Sequence, residues 1–66
     1  MISYEPLLKT LDDKQMKVID LVKKCGLGSA TVAKIRKDEG LSVTSLEKIC
    51  LFLNVPIEKV IKISQQ

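Results

Sequence analysis

The sequence predicts an all-α domain of five short helices, with short extended segments at its two ends. Three observations support this fold class. Apolar residues recur at steps of three and four, residues that start or stop helices separate these stretches, and the 66-residue chain has no long linker or internal repeat. A chain of this length buries only about 60% of its unfolded surface on folding. We therefore expect residues 1–66 to form a single domain with a small core.

The first helix is predicted just after the amino terminus. Ser3 is a favourable N-cap residue, and Pro6 falls in the first helical turn, where a missing N–H group costs little. The polar residues 12–15 then indicate the end of the helix and a turn. The expected inward face carries three leucines, Leu7, Leu8 and Leu11.

The second helix is predicted from about Val18 to Cys25. Its apolar stripe contains Val18, Leu21, Val22 and Cys25. Gly26 follows at once and suits a left-handed cap, after which Leu27 can fold back onto the helix.

The third helix is predicted to start near Gly28 or Ser29 and to end near Lys37. Val32 and Ile35 are expected to face inward, with Thr31 at the margin. The expected outward residues are Ser29, Ala30, Ala33, Lys34 and Lys37. Residues 38–40 have turn chemistry, in which Gly40 tolerates a positive φ.

The fourth helix has Ser42 as a natural N-cap, and Asn54 is expected to end it. Pro56 is predicted to lie in the first turn of a last short helix. Residues 61–64 alternate apolar and polar side chains, so they are predicted to be extended and to pair with residues 1–3. The core stripe of the fourth helix contains Leu46, Ile49, Cys50 and Leu53, and that of the fifth contains Ile57, Val60 and Ile61.

Charge is distributed unevenly along the chain, whose formal net charge is +3. The stretch from Lys9 to Lys37 has eight basic and three acidic residues and is therefore +5, whereas the remainder has three lysines and five acids. A basic half beside a weakly acidic half indicates a face for a polyanion such as nucleic acid. The alternative is a solvated surface whose charge is merely uneven.

Composition argues against several other functions. With two cysteines and no histidine the chain has too few ligands for a zinc site made of these residues, so no metal or cofactor is expected. Cys25 and Cys50 are interpreted as buried free thiols, with one disulfide as the alternative. Without histidine or a glycine-rich phosphate loop, an enzyme is not expected, nor is a small-molecule substrate. Only Tyr4 and Phe52 are aromatic, which leaves no stacking platform for single-stranded nucleic acid.

The amino terminus lacks the basic and apolar regions of a signal peptide, and no apolar stretch approaches the roughly 18 residues that span a bilayer. A cytoplasmic protein without a membrane partner is therefore expected.

The most informative feature is the spacing of apolar residues around Gly26. Glycine permits a sharp turn between two helices, and apolar residues at fixed distances lock those helices at a steep angle. The chain thus has the pattern of a helix-turn-helix over about residues 17–37. The pattern consists of Leu21, Cys25, Gly26, Leu27, Val32 and Ile35.

This pattern resembles the Cro and lambda-repressor type, or XRE type, helix-turn-helix family, in its minimal single-domain form. The stretches that carry the resemblance are residues 16–21, 25–35, 46–50 and 53–55. Membership implies a compact five-helix fold that binds double-stranded DNA and regulates transcription, often as a homodimer on a palindromic site. It implies that the third helix enters the major groove while the second rests across the phosphate backbone.

Carried over position by position, the resemblance assigns DNA contacts to eight residues. Base-edge positions are Ser29, Ala30, Ala33 and Lys34. Phosphate positions are Lys17, Thr31 and Lys37, and Gly28 stands where the family usually has a Ser or Thr cap.

The chain departs from the family pattern at three further positions. Val22 replaces a usual alanine, Val18 replaces a polar residue, and Arg36 stands where an acid is common. Of the base-edge residues only Lys34 can make strong hydrogen bonds to bases, so we expect modest base specificity with a large electrostatic share.

Several alternatives stay open at the level of sequence. The chain could be a protein-interaction module that kept the fold, or a non-specific DNA binder. Arg36 could pair with an acid of its own domain, and the Thr31 hydroxyl could bond back into its own helix. Phe52 beside Leu51 could form a dimer patch or fill a small core. Lys23 and Lys24 are interpreted as a solvated face.

Overall fold

The computed structural model describes residues 1–64. It contains four α-helices, one 3-10 turn and two short strands, so the all-α prediction is confirmed, with the fifth helix reduced to a single 3-10 turn. In chain order the elements are β1 (Ile2–Ser3), α1 (Glu5–Asp13), α2 (Ile19–Lys23), α3 (Ser29–Arg36), α4 (Val43–Leu53), the 3-10 turn (Ile57–Lys59) and β2 (Lys62–Ile63). None of the helices in residues 1–64 has the length and apolar character needed to cross a membrane.

The core is built from the helical stripes that the sequence predicts, with two exceptions, Leu8 and Ile57, which are both exposed. Leu8 is half exposed, because a nine-residue helix presents only one narrow stripe to the core and Leu7 and Leu11 occupy it. Fully or nearly fully buried apolar residues are Tyr4, Leu7, Leu11, Leu21, Leu27, Val32, Ile35, Ile49, Leu53 and Val60. Every helix contributes at least one of them, so the helices hold one another in place around a shared centre.

The start of α1 differs from the sequence prediction by one residue. Tyr4, not Ser3, is the N-cap residue, and the Ser3 hydroxyl instead accepts a hydrogen bond from the Glu5 N–H at 3.2 Å. Tyr4 is fully buried, and its hydroxyl donates to the Glu39 carbonyl at 2.6 Å while its N–H donates to the Asp38 carboxylate at 3.0 Å. These bonds fix where the chain enters the helix. Pro6 lies in the first turn, as predicted.

The turn between α3 and α4 takes its left-handed residue at Asp38 rather than at Gly40. Asp38 has a φ of 56°, whereas Gly40 is not among the residues of positive φ. Asp tolerates this conformation better than most residues with a side chain. Because the Asp38 carboxylate accepts from the Tyr4 N–H, this conformation ties the end of α3 to the start of α1.

The two ends of the described chain meet in a two-stranded antiparallel sheet, which confirms the predicted pairing of extended segments. Ile2 is opposite Ile63, and Ser3 is opposite Lys62. Before β2, Pro56 lies ahead of the 3-10 turn rather than within a helix, and Ile57 is exposed rather than buried.

Two hydrogen bonds hold the end of the chain against α1. The Thr10 hydroxyl donates to the Lys59 carbonyl at 2.8 Å, and the Leu7 N–H donates to the Val60 carbonyl at 3.1 Å. Thr10 is the buried polar residue of the described chain, and this bond satisfies its hydroxyl.

Both cysteines are free thiols, so the disulfide alternative is not realised, and both are half-buried rather than fully buried. Burial raises the pKa of the Cys25 thiol, and the positive charge of Lys48 offsets part of that rise. Burial likewise raises the pKa of the Cys50 thiol. The protonated thiol is therefore the dominant form of each at neutral pH, which makes both weak nucleophiles.

Candidate nucleic-acid interface

The start of α2 is closed by a side chain of the same helix. The Asp20 carboxylate accepts a hydrogen bond from the Lys17 N–H at 2.9 Å, and the Asp20 N–H donates back to the Lys17 carbonyl at 2.9 Å. The Lys17 amide is thus already engaged within the domain, while its ammonium group lies on an exposed residue. An acid three residues after Lys17 was the sequence signal for this reciprocal pairing, which the sequence analysis missed.

The turn between α2 and α3 has the geometry that the glycine spacing predicts. Gly26 has a φ of 81°, the left-handed region that residues with a side chain rarely adopt. Leu27 is buried, and its N–H donates to the Leu21 carbonyl at 3.2 Å. The turn therefore folds back on α2 and fixes the direction in which α3 leaves it.

The two faces of α3 match the sequence prediction. Val32 and Ile35 are buried, at 5% and 2% exposure. Thr31 is half-buried at the margin, and its hydroxyl has no hydrogen-bond partner among the described residues, so the predicted alternative of a bond back into the helix is not realised. The residues on the solvent side are all exposed: Ser29, Ala30, Ala33, Lys34 and Lys37.

The first turn of α3 begins without a side-chain cap. Gly28 is the N-cap residue, in an extended conformation with φ −72° and ψ 156°, and it has no side chain to accept from the helix. The first N–H groups of a helix have no partner within the helix and carry its partial positive charge. This end of α3 therefore offers donors to water or to an anion.

Positive charge collects at the other end of α3. Lys34 and Arg36 lie in the last turn of α3, and Lys37 is its C-cap residue. All three residues are exposed, and the first turn of the helix contains no acid. The salt bridge found in residues 1–64 joins Lys62 to Glu5 at 3.6 Å, far along the chain from α3. Arg36 thus has no acidic partner within 4.0 Å in the described chain, and the alternative of an internal ion pair is not realised.

An apolar groove of about 230 Å³ runs between α2 and the outward side of α3. Its walls are Ile19, Val22, Ser29, Val32, Ala33 and Arg36. Ile19 is 41% exposed and Val22 is half-buried, so part of this apolar surface meets solvent. Val22 was predicted as part of the apolar stripe of the second helix and as a departure from the family pattern. The groove was not predicted, because it depends on how the two helices pack.

The predicted contact residues are brought together in part. Ser29, Ala30, Ala33, Lys34 and Lys37 share the exposed side of one helix, with Gly28 at its start. Lys17 lies separately, before α2. Residues 1–64 contain no group of three side chains able to hold a metal ion.

Two comparisons with known proteins agree with this geometry. Residues 7–66 match the family model of the Cro/C1-type HTH DNA-binding domain. The structure is also similar to that of the transcriptional regulator VanUg, with a TM-score of 0.93 and 35% sequence identity over 98% of this chain and 87% of that chain. No match was found among curated protein sequences. The helix-turn-helix built around Gly26 and the match over residues 7–66 lead to one conclusion, that this chain belongs to the Cro/C1-type helix-turn-helix family of DNA-binding domains.

Proposed function

We propose that this protein is a cytoplasmic transcriptional regulator that binds duplex DNA by placing α3 in the major groove. The observation that carries the proposal is the outward side of α3, which presents small residues and cations with no acid among them. A small-sided helix can approach base edges closely, and cations at its end can neutralise phosphates.

Each predicted contact residue has a physical role in this proposal. Lys34 is the base-edge residue with a charged donor, suited to the guanine O6 and N7 acceptors. Lys17 and Lys37 neutralise phosphates, with Lys17 acting through its ammonium group because its N–H is bonded to Asp20. The remaining proposed contacts are made by Gly28 at the start of α3, Thr31 at its margin, and Ser29, Ala30 and Ala33 on its exposed side.

The uncapped first turn of α3 supports a phosphate contact near Gly28. No side chain of the domain caps this turn, and the helix dipole favours a negative charge there. This contact would position the helix without reading sequence. Electrostatic contacts of this kind should therefore supply much of the affinity.

We also propose that the protein acts as a homodimer, joined through a patch at the end of α4. Leu51 is 75% exposed and Phe52 is 38% exposed, and neither belongs to the buried core. Two copies would place two α3 helices about one helical turn of DNA apart and so recover affinity that one helix lacks.

Light scattering across concentrations should give twice the 7.4 kDa chain mass. Leu51→Ala should shift that mass toward the monomer and Leu8→Ala should not, and a monomer at all concentrations would rule the dimer out.

The test of DNA binding is a fluorescence polarisation titration of duplexes at several salt concentrations. Affinity should fall steeply with salt. Lys34→Ala should reduce the preference for a selected site, and Lys37→Ala should reduce the slope of log affinity against log salt by about 1. Lys48→Ala is the matched control because Lys48 is an exposed lysine of α4, and it should leave both unchanged.

Absence of binding to any duplex at low salt would overturn the proposal. Stable capture of one protein partner without DNA affinity would instead support an interaction module. Equal affinity for unrelated duplexes would indicate a non-specific binder.

A further inference from the structure

We infer that the groove between α2 and α3 reads thymine through the C5-methyl group that this base presents in the major groove. The inference rests on the proposed function and adds thymine to the guanine contact proposed for Lys34. It assigns a role to Ile19 and Val22, residues outside the predicted set of contacts.

The groove between α2 and α3 is mainly apolar. Ile19, Val22, Val32 and Ala33 line it with apolar carbon, and Arg36 lies at its edge. Ile19 remains 41% exposed to water, although removing an isoleucine side chain from water lowers the free energy. An exposed apolar groove on a cationic surface fits an occupant that is negatively charged overall and apolar at one point.

The groove adjoins the exposed side of α3. Ser29 and Ala33 belong both to its wall and to the exposed side of α3, so the groove is continuous with the proposed DNA interface. Arg36 has no acidic partner in the described chain, and its charge complements the phosphates beside a bound base.

The major groove of DNA offers one kind of apolar group to such a surface. The base edges there present hydrogen-bond donors and acceptors, and thymine alone adds a methyl group. The outward side of α3 is poor in hydrogen-bonding groups, since Ala30 and Ala33 have none in their side chains. Apolar contact with a thymine methyl is thus the base-specific interaction for which these side chains are best suited.

The experiment removes the methyl group and nothing else. A duplex selected by the protein from a random pool is prepared with each thymine replaced in turn by uracil, which pairs identically. We expect at least one replacement to weaken binding about threefold to fivefold, the size expected for one buried methyl group.

Two variants then locate the contact. In Ile19→Ala and Val22→Ala the same uracil replacement should cost less than twofold, because the wall that contacts the methyl group has been cut back. Ile19→Ala is the safer of the two for folding, since Ile19 is partly exposed and alanine favours helix. Leu8→Ala is the matched control: an exposed apolar residue of α1, outside the groove, that should keep the full uracil effect. Circular dichroism and thermal melting verify that each variant is folded.

The outcomes separate this inference from the proposed function. A fully uracil-substituted duplex that binds as tightly as the thymine duplex overturns the inference and leaves DNA binding intact. An equal uracil effect in wild type and in both groove variants places the methyl contact elsewhere and also overturns it. A shift from dimer to monomer in Ile19→Ala would show that a second copy of the chain covers the groove, and this too contradicts it. Failure of every duplex to bind at low salt overturns the proposed function itself.

Discussion

The helices α3 and α4 begin in almost the same backbone conformation and differ in what fills the first turn. Gly28 before α3 has φ −72° and ψ 156°, and Ser42 before α4 has φ −66° and ψ 154°. The Ser42 hydroxyl accepts from the Ser45 N–H at 3.2 Å, whereas Gly28 offers no acceptor. Since the backbone is the same, the side chain alone decides whether the helix start is satisfied within the domain.

This difference in capping distinguishes α4, which stabilises the fold, from α3, which presents side chains for binding. α4 is closed at both ends, by Ser42 and by the left-handed residue Asn54, and it carries the fully buried Ile49. α3 is shorter, and its exposed side carries three cations and an open first turn. Changes in α4 should therefore act on folding, and changes on the outside of α3 should act on binding.

The largest expected effect comes from emptying the core side of α4. Ile49→Ala removes a fully buried side chain and should lower the free energy of unfolding by about 2–5 kcal/mol. Urea denaturation followed by circular dichroism measures the change. Val43→Ala in the same helix is the control, because Val43 is 82% exposed and its loss should cost no more than about 0.5 kcal/mol. Similar losses in the two variants would contradict the assignment of α4 to the core.

Removing the cap of α4 should have an intermediate effect. Ser42→Ala leaves the Ser45 N–H without its partner and should lower the free energy of unfolding by about 1 kcal/mol. Thr44→Ala, at an exposed position of the first turn, should change it far less. DNA affinity per folded molecule should not change with Ser42→Ala, and a selective loss of binding would place this helix start in the interface.

Replacing Tyr4 should weaken the contact that ties the chain just after α3 to the start of α1. Tyr4→Phe removes the hydrogen bond to the Glu39 carbonyl and should cost about 0.5–1.5 kcal/mol of stability. Burial, and secondarily the Asp38 carboxylate, raises the pKa of Tyr4 above 10.0. Its contribution should therefore be complete below pH 10 and be lost as the pH rises from 10 through the folded-state pKa.

Other groups also titrate in alkali, so the pH dependence of the Tyr4 contribution is measured as the difference in the free energy of unfolding between wild type and Tyr4→Phe. Denaturation curves from pH 8 to pH 11 should converge as the pH rises. Parallel curves over this range would mean that Tyr4 does not titrate differently in the folded and unfolded chains.

The smallest expected effect comes from giving α3 the cap that α4 has. A Cβ atom added at Gly28 meets nothing within 4 Å beyond its chain neighbours, so Gly28→Ser should fit and raise stability by a few tenths of a kcal/mol. Gly28→Ala is the control, since alanine has no acceptor and is a poor N-cap, and it should not stabilise. A gain with alanine equal to that with serine would show that capping is not its cause.

Local sequence chemistry was sufficient for features decided within a few residues. The bounds of α3, the left-handed Gly26 and the Ser42 cap all follow from such signals. The pairing of residues 1–3 with residues 61–64 was predicted from the alternation of the second segment, and the structure shows that the pairing is antiparallel. The exposed side of α3 was predicted as well, because a buried stripe on a helix fixes the opposite face.

Apart from the local Lys17–Asp20 pairing, the features that sequence reasoning missed depend on contacts between separate elements. The shift of the α1 cap from Ser3 to Tyr4 and the left-handed conformation at Asp38 rather than Gly40 accompany a bond between residues 34 positions apart. No local pattern contains that bond. The groove beside Val22 likewise depends on the packing of α2 against α3, which spacing alone does not determine.

The pairing of β1 with β2 also sets how the domain responds to mechanical force. The two strands run antiparallel, so Met1 and Ser64 lie at the same end of the sheet, where the Ser64 N–H donates to the Met1 carbonyl at 2.8 Å. Tension applied to the two ends pulls across these bonds and loads them one after another. The strands should therefore peel apart at low force, before the helical part of the molecule carries any load.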